Sequence, residues 1–298
     1  MYALLTILMT FSPVDVPCGG TISGEFDSPV HIRLAPQCTY REQVKITSSH
    51  GVKIEGGEGT RIEGDLAVER APSVTISTLD VRSTGAALHL EKIGHAELQA
   101  LRLRAGIDGV HVHQAGPIRG TKVSVMAPGT GIWVQGAESV DLADLHVEAG
   151  ELAMVIRDVP GKVHIAESTL RVLPGSGTSA VFVSAEGPAE ITGNTITYLG
   201  RLPSTRVAVL ELDAEGRVAD NRFVGMEVGV RARRSALVVG CNTFDGPWAE
   251  VDGRHERDCP LDLAPNALDW RARVGGRIDK NGTLVRSSPP EKVSANLP

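Results

Sequence analysis

The chain has 298 residues, 42% of them hydrophobic but only 4% aromatic, and a formal net charge of −6 at pH 7. The acidic balance argues against a nucleic-acid binder, which presents a basic face, and the apolar content is too high for a disordered chain. So many small aliphatic side chains with so few aromatic ones suit a narrow interior built in thin layers.

The first eleven residues, Met1 to Phe11, are apolar. They are too few to span a bilayer and resemble the apolar region of a secretory signal without its positive flank. Residues 1–17 are therefore read as an export signal or, alternatively, as a cap on the N-terminal end of a stack. No other segment has the length and apolarity of a membrane span. The four cysteines fall as two local pairs, Cys18 with Cys38 and Cys241 with Cys259. Disulfides closing short loops near the two ends imply an oxidising compartment, secreted, periplasmic or extracellular. Three connectivities are open on sequence alone. Zinc is the weaker alternative, because no C-x-x-C spacing occurs.

From residue 74 to 139 the chain repeats every 22 residues. Val74 and Ile76, Ala96 and Leu98, and Ile118 and Gly120 open three successive blocks. Leu79 and Val81, Leu101 and Leu103, and Val123 and Val125 follow, then Leu88 and Leu90, Val110 and Val112, and Ile132 and Val134. Each block thus holds three apolar-x-apolar pieces, the alternation of strands with one buried face. A fixed period of this size implies stacked units. Backward, the third piece recurs at Ile22, Val44 and Leu66; forward, it recurs at Met154, Val181, Val207 and Val230. About ten coils at about 4.8 Å each would make a rod roughly 45 Å long.

Residues 173–180 and 198–206, rich in Gly, Pro and Ser, read as insertions between the second and third strands of their coils. Asn194, Asn221 and Asn242 align at the turn between the first two strands, where stacked amides can bond from coil to coil. After residue 245 the period fades. Residues 246–298 are read as a C-terminal cap and tail, with a short helix expected over residues 267–274.

A leucine-rich repeat would place Asn at the ninth position of each unit, but Thr84, Gly106, Pro128 and Gly150 stand there. The expected fold is therefore all-β: a single-stranded, right-handed parallel β-helix over residues 18–245. On its coil length, three strands per coil, Asn turn and end cysteines, the chain resembles the pectin-lyase-like superfamily of β-helical carbohydrate-active proteins. That resemblance implies a groove over the third strand series, beside the insertions.

Alternation sends two columns outward on that series. One reads Lys45, Ala67, His89, His111, Trp133, Val155, Phe182; the other reads Thr47, Glu69, Glu91, His113, Gln135, Arg157, Ser184. His111, His113 and Glu91 are candidate acid/base groups, and the same lattice is alternatively a solvated polar face. His89, Trp133, Gln135 and Phe182 are candidate substrate contacts, with the indole face as a platform for a sugar ring. The run from Ile107 through Asp108 and Gly109 is similar to the N-T-D-G segment of polygalacturonases, which implies a catalytic role for Asp108. The family's paired acids and its G-H-G are missing, however: Gly129 and Gly150 open the corresponding places, so paired-carboxylate glycoside hydrolysis is not supported. Arg157 is a candidate for holding a uronate while a His acts as base in a metal-independent elimination. No cofactor or metal is expected.

Two functions follow. One is an exported protein that binds, and cleaves if it is an enzyme at all, a polysaccharide or cell-surface glycan, as a polysaccharide lyase or glycoside hydrolase. The other is a non-catalytic extracellular structural or adhesive rod. The oligomeric state is not legible.

Overall fold

The computed structural model describes residues 12–173, 179–199, 208–225, 228–232 and 237–245, together with the short strands Arg254–His255, Asp262–Leu263, Gly276–Ile278 and Leu284–Arg286. The described chain is a parallel β-solenoid of about 8 turns with a period of about 22 residues. That is slightly fewer turns than the ten expected; the second strand of the first full rung is only Thr39–Tyr40. The short helix expected over residues 267–274 lies outside the described residues.

Three strand stacks run along the axis. Face A begins with Ser12–Val16, inside the segment read as signal or cap, and pairs it with Val30–Leu34 and then Val52–Glu55. Face B runs through Arg61–Glu63, the later half of Val74–Arg82, and on to Thr243–Asp245. Face C carries Val44–Ser48, Leu66–Glu69 and Leu88–Ile93, then the first halves of Val110–Thr121 and Thr130–Ala143, then Leu152–Val159, Ser179–Ala185 and Ala208–Asp213. Parallel pairing continues past residue 245, with Arg254–His255 against face A and Asp262–Leu263 against face B.

Burial sets the register. Leu66, Leu88, Val110, Ile132, Met154, Val181 and Leu210 form one inward column of face C, all buried. A one-residue slip would expose the whole column, and each such side chain contributes roughly 1.5–3 kcal/mol when buried. The corners are equally regular. Between faces A and B, Thr78, Ala100, Lys122, Asp144, Glu167, Asp220 and Cys241 all adopt φ between 48° and 59°, with Gly193 at 67°. Between faces C and A, Arg70, Lys92, Gln114, Gly136 and Asp158 are likewise left-handed, with φ between 55° and 70°. A single left-handed residue per corner turns the strand without breaking it. The strain at a non-glycine residue, about 1–2 kcal/mol, is held by the rungs above and below.

The inward position after the A–B corner changes character along the rod. It is aliphatic at Leu79, Leu101, Val123 and Leu145, then becomes Ser168, Asn194, Asn221 and Asn242, all eight buried. As expected, the amides bond in series: Asn194 Nδ2 donates to Asn221 Oδ1, and Asn221 Nδ2 to Asn242 Oδ1, each at 3.0 Å. Their oxygens also accept the backbone N–H one rung earlier. Ser168 ends the ladder, its Oγ accepting the Leu145 N–H at 3.1 Å.

One register differs from expectation. Leu210, not Val207, stands opposite Val181 and Val230. Val207 obeys the same alternation, so pattern alone did not separate the two. Cys18 and Cys38 form a disulfide with Cα atoms 5.4 Å apart. Cys241 is also disulfide-bonded, while Cys259 lies outside the described residues. No helix among the described residues is long and apolar enough to cross a membrane.

Replacing Asn221 by Ala leaves the buried Asn194 N–H without its acceptor and interrupts the ladder. Urea unfolding should report a loss of about 2–4 kcal/mol, against less than about 0.5 kcal/mol for an exposed control such as Gln99→Ala. An Asn221→Ala protein as stable as the parent would show that the ladder does not hold the corner.

Candidate functional site

Face C brings the two outward columns together as expected. His89 pairs with His111, and His111 with Trp133; Glu91 pairs with His113, and His113 with Gln135. The stacked strands, about 4.8 Å apart, force their side chains against one another. His89 and His111 meet edge-to-face with ring centroids 5.9 Å apart, and His111 and Trp133 do so at 5.6 Å and 83°. Both fall in the favourable range for T-shaped ring pairs.

Beyond Trp133 the column holds Val155, which points outward by alternation yet is buried. Arg157, from the neighbouring column, places its guanidinium 5.5 Å from the Trp133 ring centre and 4.9 Å from that of Phe182. The cation bridges the two aromatic rings across the position of Val155. Each cation–π contact contributes about 0.5–1 kcal/mol at a solvated site, and the guanidinium edge keeps its N–H donors. Arg157 is exposed and forms no ion pair among the described residues. The result is one ladder along the axis: His89, His111, Trp133, Arg157, Phe182.

The other candidates sit beside it. Glu91 lies 3.7 Å from His89 and 3.2 Å from Lys92; the Lys92 ammonium holds its carboxyl below the ordinary carboxylate range, with His89 a lesser cause. His113 is exposed next to Glu91. Gln135 donates from Nε2 to Asp158 at 3.0 Å. Ser184 is not opposite Arg157, because the register shifts after Ile156 and Val183. Asp108 lies in the turn before Val110–Thr121, and its Oδ1 accepts the Thr130 N–H at 2.7 Å. Gly109 follows it because a Cβ there would clash with Gly131 O and the Val125 side chain. Asp108 thus ties one rung to the next, and its charge acts on His111.

His111 is the group most altered by the stack. Burial between its neighbours pushes its pKa below the ordinary 6.5; Asp108 pulls it back up, and His89 and His113 push it further down. An imidazole kept neutral by its surroundings can accept a proton near neutral pH.

Two residues escaped the sequence reading. Glu211 stands opposite Phe182, and Asp213 opposite Ser184, so two carboxylates extend face C beyond the aromatic platform. The three-residue register error hid them; the alternation of Leu210 and Leu212 with acidic neighbours was the available signal. Residues 174–178 and 200–207, the expected groove wall, lie outside the described residues. Among the described residues no group of three His, Cys, Asp or Glu is placed to hold a metal ion.

No protein-family model, curated protein or solved structure matches this chain.

Because the folded pKa of His111 lies below its unfolded value, the unfolded chain binds the proton more readily. Its effect on stability is therefore nil above about pH 6.5 and grows unfavourable as the pH falls from there toward the folded pKa. Imidazole NMR should place the His111 midpoint below 6.5. Asp108→Asn, which keeps the acceptor for Thr130 and removes the charge, should lower that midpoint further; His89→Gln should raise it. A midpoint at or above 6.5, or an upward move in Asp108→Asn, would contradict the electrostatic account.

Proposed function

We propose that this chain is an exported β-solenoid that binds a polysaccharide or cell-surface glycan along face C, in the manner of the pectin-lyase-like proteins it resembles. One observation carries the reading: the unbroken ladder from His89 through His111, Trp133 and Arg157 to Phe182. A row of rings with a cation between two of them offers apolar faces for sugar rings and directed N–H donors for hydroxyl or carboxylate groups. The Cys18–Cys38 disulfide supports export to an oxidising compartment.

Cleavage is the further step that His111 makes chemically reasonable. In an elimination it would take the proton from C5, next to the uronate carboxyl, while Arg157 neutralises the carboxylate. The freed electron pair would form the C4=C5 double bond as the C4–O bond breaks and the leaving oxygen takes a proton from water. The two stand on rungs two apart, with Trp133 and Gln135 on the rung between. The competing reading, a non-catalytic structural or adhesive rod, draws on face A, where polar contacts such as the hydrogen bond of His164 with Asp141 at 2.8 Å and the ion pair of Lys162 with Glu190 at 2.6 Å link rung to rung.

Affinity electrophoresis against acidic and neutral polysaccharides, with assays for reducing ends and unsaturated uronates, separates these readings. Retardation by at least one polysaccharide is expected. Trp133→Ala should weaken it at least about tenfold, the roughly 1.4 kcal/mol that a stacked aromatic supplies. Product formed by the parent and lost in His111→Ala would establish an enzyme using this face. No retardation across a broad panel would leave the structural rod.

A further inference from the structure

Face B carries an uneven charge distribution that the glycan reading does not use. Asp80 lies 3.0 Å from the Arg61 guanidinium and 3.4 Å from that of Arg82. Glu63, in register with Arg82, lies 3.0 Å from Arg41. Arg102 stands in register with Asp80 and Arg104 with Arg82, yet Arg102 and Arg104 are exposed and neither forms an ion pair among the described residues. Asp80, already serving two arginines, is the nearest acid by register.

On the far side, the next rung offers no carboxylate: Ser124 faces Arg102, and Met126 faces Arg104. Arg82 is itself poorly neutralised. Its contact to Asp80 is long, and its buried Nε has no acceptor. The Cα positions of three arginines therefore mark the corners of a small triangle. Arg82 and Arg104 are one rung apart, about 4.8 Å, while Arg102 and Arg104 are two residues apart on one strand, about 7 Å. This local excess of positive charge sits on a chain whose net charge is −6.

We propose that Arg82, Arg102 and Arg104 form a binding site for a tetrahedral oxyanion, the sulfate or phosphate ester group of a ligand. Guanidinium forks donate paired N–H groups to such oxygens. Three forks rooted at neighbouring positions of adjacent strands can together supply more N–H donors than a single carboxylate or chloride ion would use. Asp80 orients Arg82 from the side and leaves Arg102 and Arg104 to close on the anion. The strands fix the three Cα positions, so only the side chains must order on binding. The site lies on a different face from the His/Trp ladder and does not depend on it.

The test is an arginine Nε–Hε NMR titration of the full chain at pH 7 and constant ionic strength, replacing chloride first by inorganic sulfate and, in a second series, by inorganic phosphate. Saturable shifts at Arg82, Arg102 and Arg104 are expected with one or both anions, whereas Arg119 on face A, exposed and in register between Glu97 and Asp141, stays still. Whichever anion saturates indicates which ester the site takes. In a Arg102→Gln, Arg104→Gln double variant, whose exposed positions and unchanged amide fingerprint report an intact fold, the affinity read at Arg82 should fall at least tenfold. Shifts that grow without saturation, shifts of equal size at Arg119, or an unchanged affinity in the double variant would overturn the proposal.

Discussion

The structure depends on in-register parallel stacking at a step of about 22 residues. Once the inward column of face C is fixed as Leu66, Leu88, Val110, Ile132 and Met154, every other column is fixed too. Backbone bonds tie each rung to the next, the A–B and C–A corners turn on left-handed residues, and burial penalises any slip. Like positions then meet like positions about 4.8 Å apart. Whatever stands at a given place in the repeat becomes a column, whether aliphatic, amide, ionic or aromatic.

The chemistry of each column follows from that spacing. Amides inside the corner satisfy one another and the backbone, so Asn is stable where an isolated buried amide would be costly. On face A, His164 meets Asp141 and Lys162 meets Glu190 from rung to rung. On face C, rings at the same step meet edge-to-face, and the middle ring of three, His111, loses solvent on both sides. Its depressed pKa is a product of the stack rather than of a pocket. On face B the same spacing brings arginines together with too few acids to neutralise them.

The fold was legible because its signal is periodic. Three apolar-x-apolar pieces recurring at 22 residues can be read without tertiary information, and the Asn positions announced their ladder. The corners were not legible: Thr78, Ala100 and Lys122 are residues no turn rule would select for positive φ, and the stack imposes it on them. Register failed where an insertion met a permissive pattern, since Val207 and Leu210 both satisfy alternation, and Glu211 and Asp213 went unseen as a result. The columns of the site were readable, but not what fills them. Arg157 reaches across from its own column to cover Val155, and the Asp108 carboxylate is engaged by the Thr130 N–H. Both are side-chain choices that alternation does not determine.

The central claim is that stacking on face C creates a continuous ligand platform. It is tested most directly by mapping, in solution, which side chains respond to an oligosaccharide from a polysaccharide that retards the protein. The account predicts that the imidazoles of His89 and His111, the indole of Trp133 and the guanidinium of Arg157 shift together and saturate at one ligand concentration. Shifts confined to faces A or B, with the Trp133 indole unmoved, would contradict it.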